Sequence, residues 1–255
     1  MSPQPIPSLS GFNPIMSRRV LFGGATAVAA AGVLSACGSS SSKTEHKASE
    51  TPLYEINEQD PSKLKQGGTL NLSTYSLGPD FNRFSQNGSS TSVSETMGII
   101  AGAGIWRSTY KGEDELDPNY CLGFEAKEVD GKITAEVRLN PKAVFNDGTP
   151  IDIDALKATW QIQRDPEGEY KIGAAGIYEF IESVEAIDGD RYHARVVLKT
   201  AHNPVKGLLF GGILHPAMLD VTLFNEGFVD NPHPELGCGP FTLAPNGWNS
   251  SEKTF

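Results

Sequence analysis

The sequence predicts an α/β domain, a mixed sheet with flanking helices, and three stretches carry that prediction. Ile133, Ala135, Val137 and Leu139 alternate with Thr134, Glu136 and Arg138, the two-residue period of a strand with one buried face. Asp152 stands before Ile153, Leu156, Trp160 and Ile162, whose spacing follows the helical period to about Gln163, and its carboxylate suits the cap position. Two further β-type runs, 184–187 and 192–198, flank Asp188-Gly189-Asp190, a hairpin turn sequence.

Near the N-terminus, Ser17-Arg18-Arg19 precedes an apolar run from Val20 to Leu34 that closes on Leu34-Ser35-Ala36-Cys37. Basic residues, an apolar stretch and small residues before a cleavage point make an export signal. The run is too short, and too rich in Ala and Gly, to span a bilayer comfortably. The arginine pair fits either the general secretory or the twin-arginine route, and Met16 offers an alternative start. A cysteine at the cleavage point, followed by Gly38 and serines 39–42, resembles the bacterial lipobox. That resemblance implies a signal peptide over 1–36 and a lipid on Cys37, the first mature residue, holding the protein to the outer face of the cell membrane.

From 37 to 64 the chain is Ser, Lys, Glu, Thr and Gln with little apolar content, which reads as a flexible tether. Order is expected to begin at residue 65, with a short strand over Thr69–Leu72 after Gly67-Gly68. A polar loop runs from Asn82 to Ser94, and Ser94 is expected to cap a short helix through Met97–Ile100. Asn146-Asp147-Gly148-Thr149-Pro150 is turn chemistry. An apolar segment, 208–214, lies between Pro204 and Pro216, and Pro216 suits the start of a helix through Leu219 and Leu223. Gly237-Cys238-Gly239-Pro240 is a turn leading into an expected strand over Phe241–Leu243.

Charge excludes two classes of partner. Residues 1–36 hold two arginines and no acidic residue, so the mature chain carries 19 basic against 31 acidic side chains, a net −12. Nucleic acid needs a basic footprint, and so does adhesion to anionic lipid. Cys121 and Cys238 remain after Cys37, and in an oxidising compartment they either form a disulfide or pack as two small buried thiols.

Catalytic chemistry is sparse: there is no Gly-x-Ser-x-Gly elbow, no His-Glu-x-x-His and no phosphate-binding loop. Asp152 and Asp154 are better explained as helix-capping carboxylates than as an acid–base pair. His193, His202, His215 and His233 lack metal-ligand spacing and read as surface or turn residues. No catalytic residue, metal or cofactor is therefore expected.

Four segments together resemble the extracellular solute-binding proteins of peptide-type ABC importers, the oligopeptide- and dipeptide-binding family. They are Lys65-Gln66-Gly67-Gly68-Thr69-Leu70, Val137–Pro150 with Phe145-Asn146-Asp147-Gly148-Thr149-Pro150, Ser183–Lys199, and Leu236-Gly237-Cys238-Gly239-Pro240-Phe241. Cys238 departs from the family's hydroxyl residue and Phe241 from its frequent Tyr. The resemblance implies a type II periplasmic-binding-protein-like fold, two-lobed in full-length relatives, with residues 65–255 as a truncated N-terminal half. It implies a monomer that captures a peptide or similar small solute for an ABC permease. Small residues at Asn87, Gly88, Ser89 and Ser90 would admit ligand backbone, with Tyr170 on the cleft wall. Trp106 is better placed in the core. The alternatives are an extracellular hydrolase lipoprotein and a non-transporting structural or signalling lipoprotein.

Overall fold

The computed structural model describes residues 59–254, apart from 66, 69–70, 75, 103, 202–204 and 245–246. The chain divides into Met1–Thr51 and Pro52–Phe255. The first unit, which contains the expected export signal and Cys37, lies outside the described residues, as does most of the tether expected over 37–64. In the second unit the first described element is a single exposed turn, Pro61–Lys63, started by Asp60 accepting from Ser62 N at 2.9 Å.

A ten-residue helix, α1 (Thr91–Ile100), comes next, followed by a two-stranded ribbon of β1 (Trp106–Ser108) and β2 (Asp114–Leu116). The main sheet is four-stranded and antiparallel, in the order β3-β4-β6-β5: β3 Cys121–Val129, β4 Lys132–Leu139, β5 Ile181–Ile187 and β6 Asp190–Leu198. Both of its hairpins turn on Asp-Gly. Asp130 and Gly131 have φ of 53° and 76°, Asp188 and Gly189 of 54° and 76°, the left-handed pair a two-residue hairpin requires.

The alternation expected for 133–139 is the observed burial pattern: Ile133, Ala135, Val137 and Leu139 are buried, while Thr134, Glu136 and Arg138 are not. Ala194, Val196 and Leu198 of β6 continue that apolar face, with Ile181 and Val184 of β5. Helix α2 (Ile153–Gln163) packs against β5 and β6. Its Ile153, Leu156 and Ile162 are buried, each large aliphatic side chain contributing about 1.5–3 kcal/mol on burial. Asp152 is the cap, accepting from Asp154 N at 2.9 Å, so the expected helix and its boundaries are confirmed.

A second apolar cluster gathers α1 (Val93, Met97, Ile100) with Phe81, Leu214, Met218, Phe224 and Phe228. Here the sequence expectations need correction. The cap of α1 is Ser90, not Ser94: Ser90 is extended and its Oγ accepts from Val93 N at 3.2 Å. Starting there puts Val93, Met97 and Ile100 on one buried stripe at the helical spacing. The helix expected through 216–223 is two separate turns, Pro216–Leu219 and a wide turn over Leu223–Gly227. Asp220 divides them, because it leaves helical geometry at ψ 112° and caps the second turn, accepting from Thr222 N at 2.9 Å and Leu223 N at 3.1 Å. Phe241–Leu243 forms no strand, and Phe241 is 64% exposed with no ladder partner to hold it. Asn71 and Leu72 also lie outside any strand, and Thr69 and Leu70 fall outside the described residues.

Two of the segments behind the resemblance clamp each other. Asn146 N donates to Gly237 O at 2.8 Å, Asp147 N to Glu235 O at 3.1 Å, and Asn146 Nδ2 to Pro234 O at 2.8 Å. Gly239 N then donates to Ile100 O at 2.9 Å, giving a partner to a terminal carbonyl of α1. The Phe145–Pro150 turn and the Leu236–Phe241 turn are therefore one joint that ties both clusters together.

Candidate functional site

A small, partly open cleft of about 30 Å³, room for roughly one water, lies over the second cluster. Its walls come from the 81–84 loop, from Met97 and Ala101 at the end of α1, from 213–215 with Met218, and from Phe228, His233, Leu236 and Gly237. The volume is well below that of small-molecule sites, and the lining is mostly apolar with a few polar groups.

The loop bearing Phe81–Phe84 is held from beneath. Asp80 is buried and its two oxygens accept from Asn82 N and Ser85 Oγ, each at 2.8 Å. Ser85 Oγ in turn accepts from Gly88 N at 2.9 Å, and Asn82 Nδ2 donates to Phe224 O at 2.8 Å. A neighbouring strip of backbone adds rigidity: Gln86 N donates to Lys171 O at 2.7 Å and Gly173 N to Phe84 O at 3.0 Å. These bonds fix the rotation of Arg83 and Phe84 at the cleft.

Arg83 is the unusual member. Its Nε is buried with no hydrogen-bond partner, and among the described residues no carboxylate oxygen approaches the guanidinium within 4.0 Å. The guanidinium carbon sits 4.6 Å from the centre of the Phe84 ring. A side chain at residue 212 would displace both groups, since a Cβ on Gly212 would lie 2.6 Å from Phe84 Cζ and 3.1 Å from Arg83 Nη2. Burial pushes the guanidinium pKa down, and proximity to Cys238 and Tyr178 only partly opposes this.

The other ionisable groups of the cleft have partners. His215 is buried, and its Nδ1 accepts from Ala217 N at 3.0 Å, which leaves the neutral ring's proton on Nε2. That Nε2 faces Asp147 Oδ2 at 3.2 Å, near in distance though off hydrogen-bond alignment. Burial lowers the imidazole pKa, against the pull of Asp147 and Glu235. For Asp147 burial acts upward, but hydrogen bonds from Thr149 and the nearby His215 outweigh it and hold the carboxyl below its usual value. His233 meets Glu235 through Nδ1 at 2.6 Å.

The residues singled out from sequence fall in several places. Asn87 and Ser89 are exposed beside the cleft-bearing loop and do not line the cleft. Gly88 is buried, and its lack of a side chain serves the chain itself: a Cβ there would lie 2.2 Å from Asn82 O. Ser90 caps α1. Tyr170 lies outside the lining, its hydroxyl donating to Leu219 O at 2.8 Å and its ring edge-on to Phe224 at 5.5 Å. Trp106 packs on the sheet core with Phe124 at 4.8 Å and donates from Nε1 to Leu209 O at 2.7 Å, as expected of a core residue. Cys121 and Cys238 are separate buried thiols whose Sγ atoms meet Gly123 O at 3.2 Å and Ala101 O at 3.9 Å. His215, expected at the surface, is buried because Phe145 packs edge-on at 4.6 Å and the Asp147 turn folds over it. Asp152 is consumed by its cap and by Arg191, whose Nε donates to Oδ2 at 2.8 Å, so no acid–base pair with Asp154 forms. No cluster of three metal-ligating side chains exists among the described residues. Arg83 lies in no motif, and in the sequence only its place beside aromatic Phe81 and Phe84 in a polar loop marks it.

A helix-backed antiparallel sheet joined to a second cluster by this clamp is the fold of part of a type II periplasmic-binding protein. The periplasmic EDTA-binding protein EppA matches with a TM-score of 0.56 and 20% identity, over 66% of this chain and 32% of that one. Listeria monocytogenes OppA bound to peptide matches with a TM-score of 0.51 and 19% identity, over 69% and 36%. At the sequence level the chain is homologous to the oligopeptide-binding protein OppA of Mycobacterium tuberculosis, 29% identical over 231 residues. That alignment takes in 86% of this chain and 38% of the relative, so the chain spans well under half the length of the relative it matches. No family profile matches.

Proposed function

We propose that this chain is part of an extracytoplasmic solute-binding protein that takes up peptides and delivers them to an ABC permease. The homology to OppA over most of the chain carries this reading. The pinned 80–88 loop suits it, since it would supply a surface that does not need ordering on binding. The export signal and Cys37 extend the reading to a lipid-anchored receptor at the outer membrane face, with 37–64 as its tether. In this reading Asn87 and Ser89, which are exposed, would meet a long ligand at the rim of the cleft.

The absence of a nucleophile–base pair among the residues around the cleft favours capture over hydrolysis. The test is calorimetric titration of a version of the protein extended to the length of its relatives with a mixed tri- to pentapeptide library; the 255 residues alone should bind more weakly, because a one-sided cleft leaves ligand polar groups in water. Saturable binding that a set of sugars does not reproduce is expected. Heats indistinguishable from dilution across the whole library would overturn the reading. Mass spectrometry of membrane fractions, with a lipid-sized mass gain in the wild type that Cys37→Ala lacks, tests the anchor.

A further inference from the structure

We propose that the small cleft is a halide site, holding one chloride-sized anion with Arg83 and His215 as its donors. The inference goes beyond the peptide-binding reading and does not depend on it.

Size is the first restriction. About 30 Å³ admits one water-sized occupant, which shuts out carboxylates, phosphates and anything carrying a side chain. Polarity then selects among occupants of that size. Four polar side chains line the cleft: Asn82, Arg83, His215 and His233. Asn82 is spent, its Nδ2 donating to Phe224 O at 2.8 Å and its Oδ1 accepting from Phe84 N at 3.1 Å. His233 is engaged at both ring nitrogens, by Glu235 Oε1 at 2.6 Å and Gly227 O at 3.0 Å. Each of the other two buries a nitrogen with no hydrogen-bond partner, Arg83 Nε and His215 Nε2, and His215 is only 6% exposed. Both atoms are donors, the second because Nδ1 of the neutral ring accepts from Ala217 N. A water could accept from both, but its own protons would face Phe81, Met97, Met218 and Phe228, all 6% exposed or less. A halide accepts from both and has no protons to place. It also offsets a cation that no carboxylate among the described residues approaches within 4.0 Å, where an unpaired charge is costly. Asp147 Oδ2 faces His215 Nε2 at 3.2 Å from outside the lining, off hydrogen-bond alignment and already accepting from Thr149 Oγ1 at 3.0 Å. Its charge opposes an anion, so Arg83 supplies the greater share of the attraction. A net charge of −10 gives the chain no general attraction for anions, so halide uptake reports this local arrangement.

The experiment follows thermal unfolding of the 255-residue protein at fixed sodium concentration while chloride replaces gluconate, an anion too large for the cleft. Tm should rise by about 3–6 °C per tenfold in chloride once the site is half filled. Arg83→Met should abolish that rise, and Arg83→Lys, which keeps the charge and loses Nε, should retain part of it. A wild-type Tm indifferent to chloride, or an equal rise in Arg83→Met, overturns the proposal. Wild-type crystals soaked in bromide give a readout that needs no variant. An anomalous peak within hydrogen-bonding reach of Arg83 Nε is expected, and a water at that place with no anomalous signal overturns the proposal. Neither result bears on peptide capture, which the calorimetry tests separately.

Discussion

Thr159 joins the sheet-backed helix to the wall of the cleft through one hydroxyl. It is fully buried on α2; its Oγ1 donates to Ala155 O at 2.7 Å and accepts from Leu214 N at 2.8 Å. Thr159→Val keeps the shape and removes the oxygen. Ala155 O is within the helix and keeps its main-chain partner, so losing the donor costs little. Leu214 N–H is left buried without an acceptor, which costs about 1–3 kcal/mol. For a domain of this size that is a fall in Tm of about 2–12 °C. Thr159→Ser is the control: it keeps both bonds and loses one buried methyl, about 1 kcal/mol. Urea unfolding followed by circular dichroism reads both variants. Leu214 and its neighbours Ile213 and His215 line the cleft, so Thr159→Val should also weaken ligand binding while Thr159→Ser does not. A Thr159→Val midpoint equal to wild type, with Thr159→Ser the less stable of the two, would show that the methyl matters and the hydroxyl bridge does not.

Asp152 should show the same separation of roles: Asp152→Ala loses the cap of α2, about 1 kcal/mol, whereas Asp152→Asn retains a cap acceptor and loses only the pairing with Arg191. Urea midpoints should place Asn between wild type and Ala; an Asn variant as unstable as Ala would put the stabilisation in the ion pair. His215 sets a pH dependence. Its folded pKa lies below the ordinary 6.5 because burial disfavours the charged ring, so the fold binds fewer protons there than the unfolded chain. Its contribution is complete above about pH 6.5 and is lost as pH falls through the folded value, whereas that of Asp147 is lost only below the ordinary carboxyl value of 3.8. Tm should therefore decline between pH 7 and pH 5, and His215→Asn should flatten that decline; an unchanged slope in the variant would refute the assignment.

The sheet and α2 were legible because local signals and tertiary demands agree there. Period-two alternation in β4, the Asp188-Gly189 turn and the Asp152 cap each specify one geometry, and the burial pattern repeats it. The misses fall where several local solutions compete. Four residues, Ser89, Ser90, Ser92 and Ser94, all qualify as caps near α1, and only the packing of Val93, Met97 and Ile100 selects Ser90. Pro216 correctly starts a turn, yet Asp220 ends it, an effect of one side chain's preference for the next turn's amides. β3 was missed although Asp130-Gly131 announces its hairpin, because only Cys121, among residues 121–129, is fully buried and no alternation marks the strand. The cleft was the least legible part. Its lining is drawn from four stretches between residues 81 and 237, and the features that make Arg83 distinctive arise only when Gly212 and Phe84 close around it.

The two most recognisable motifs lie largely at one edge of this cleft and act on structure. Asn146 and Asp147 spend their main-chain donors on Gly237 and Glu235, and Gly239 spends its own on the end of α1. A motif used this way fixes where Gly237, Leu236 and, through Asp147, His215 stand, and says nothing about what they face. Proteins sharing the joint are therefore free to differ in what the cleft holds, provided the differences fall on the 81–84 loop, Met218 and Phe228, which the joint does not touch. In this chain those positions are three phenylalanines, a methionine and Asn82 around one guanidinium. The clamp accounts for two of the four segments behind the resemblance.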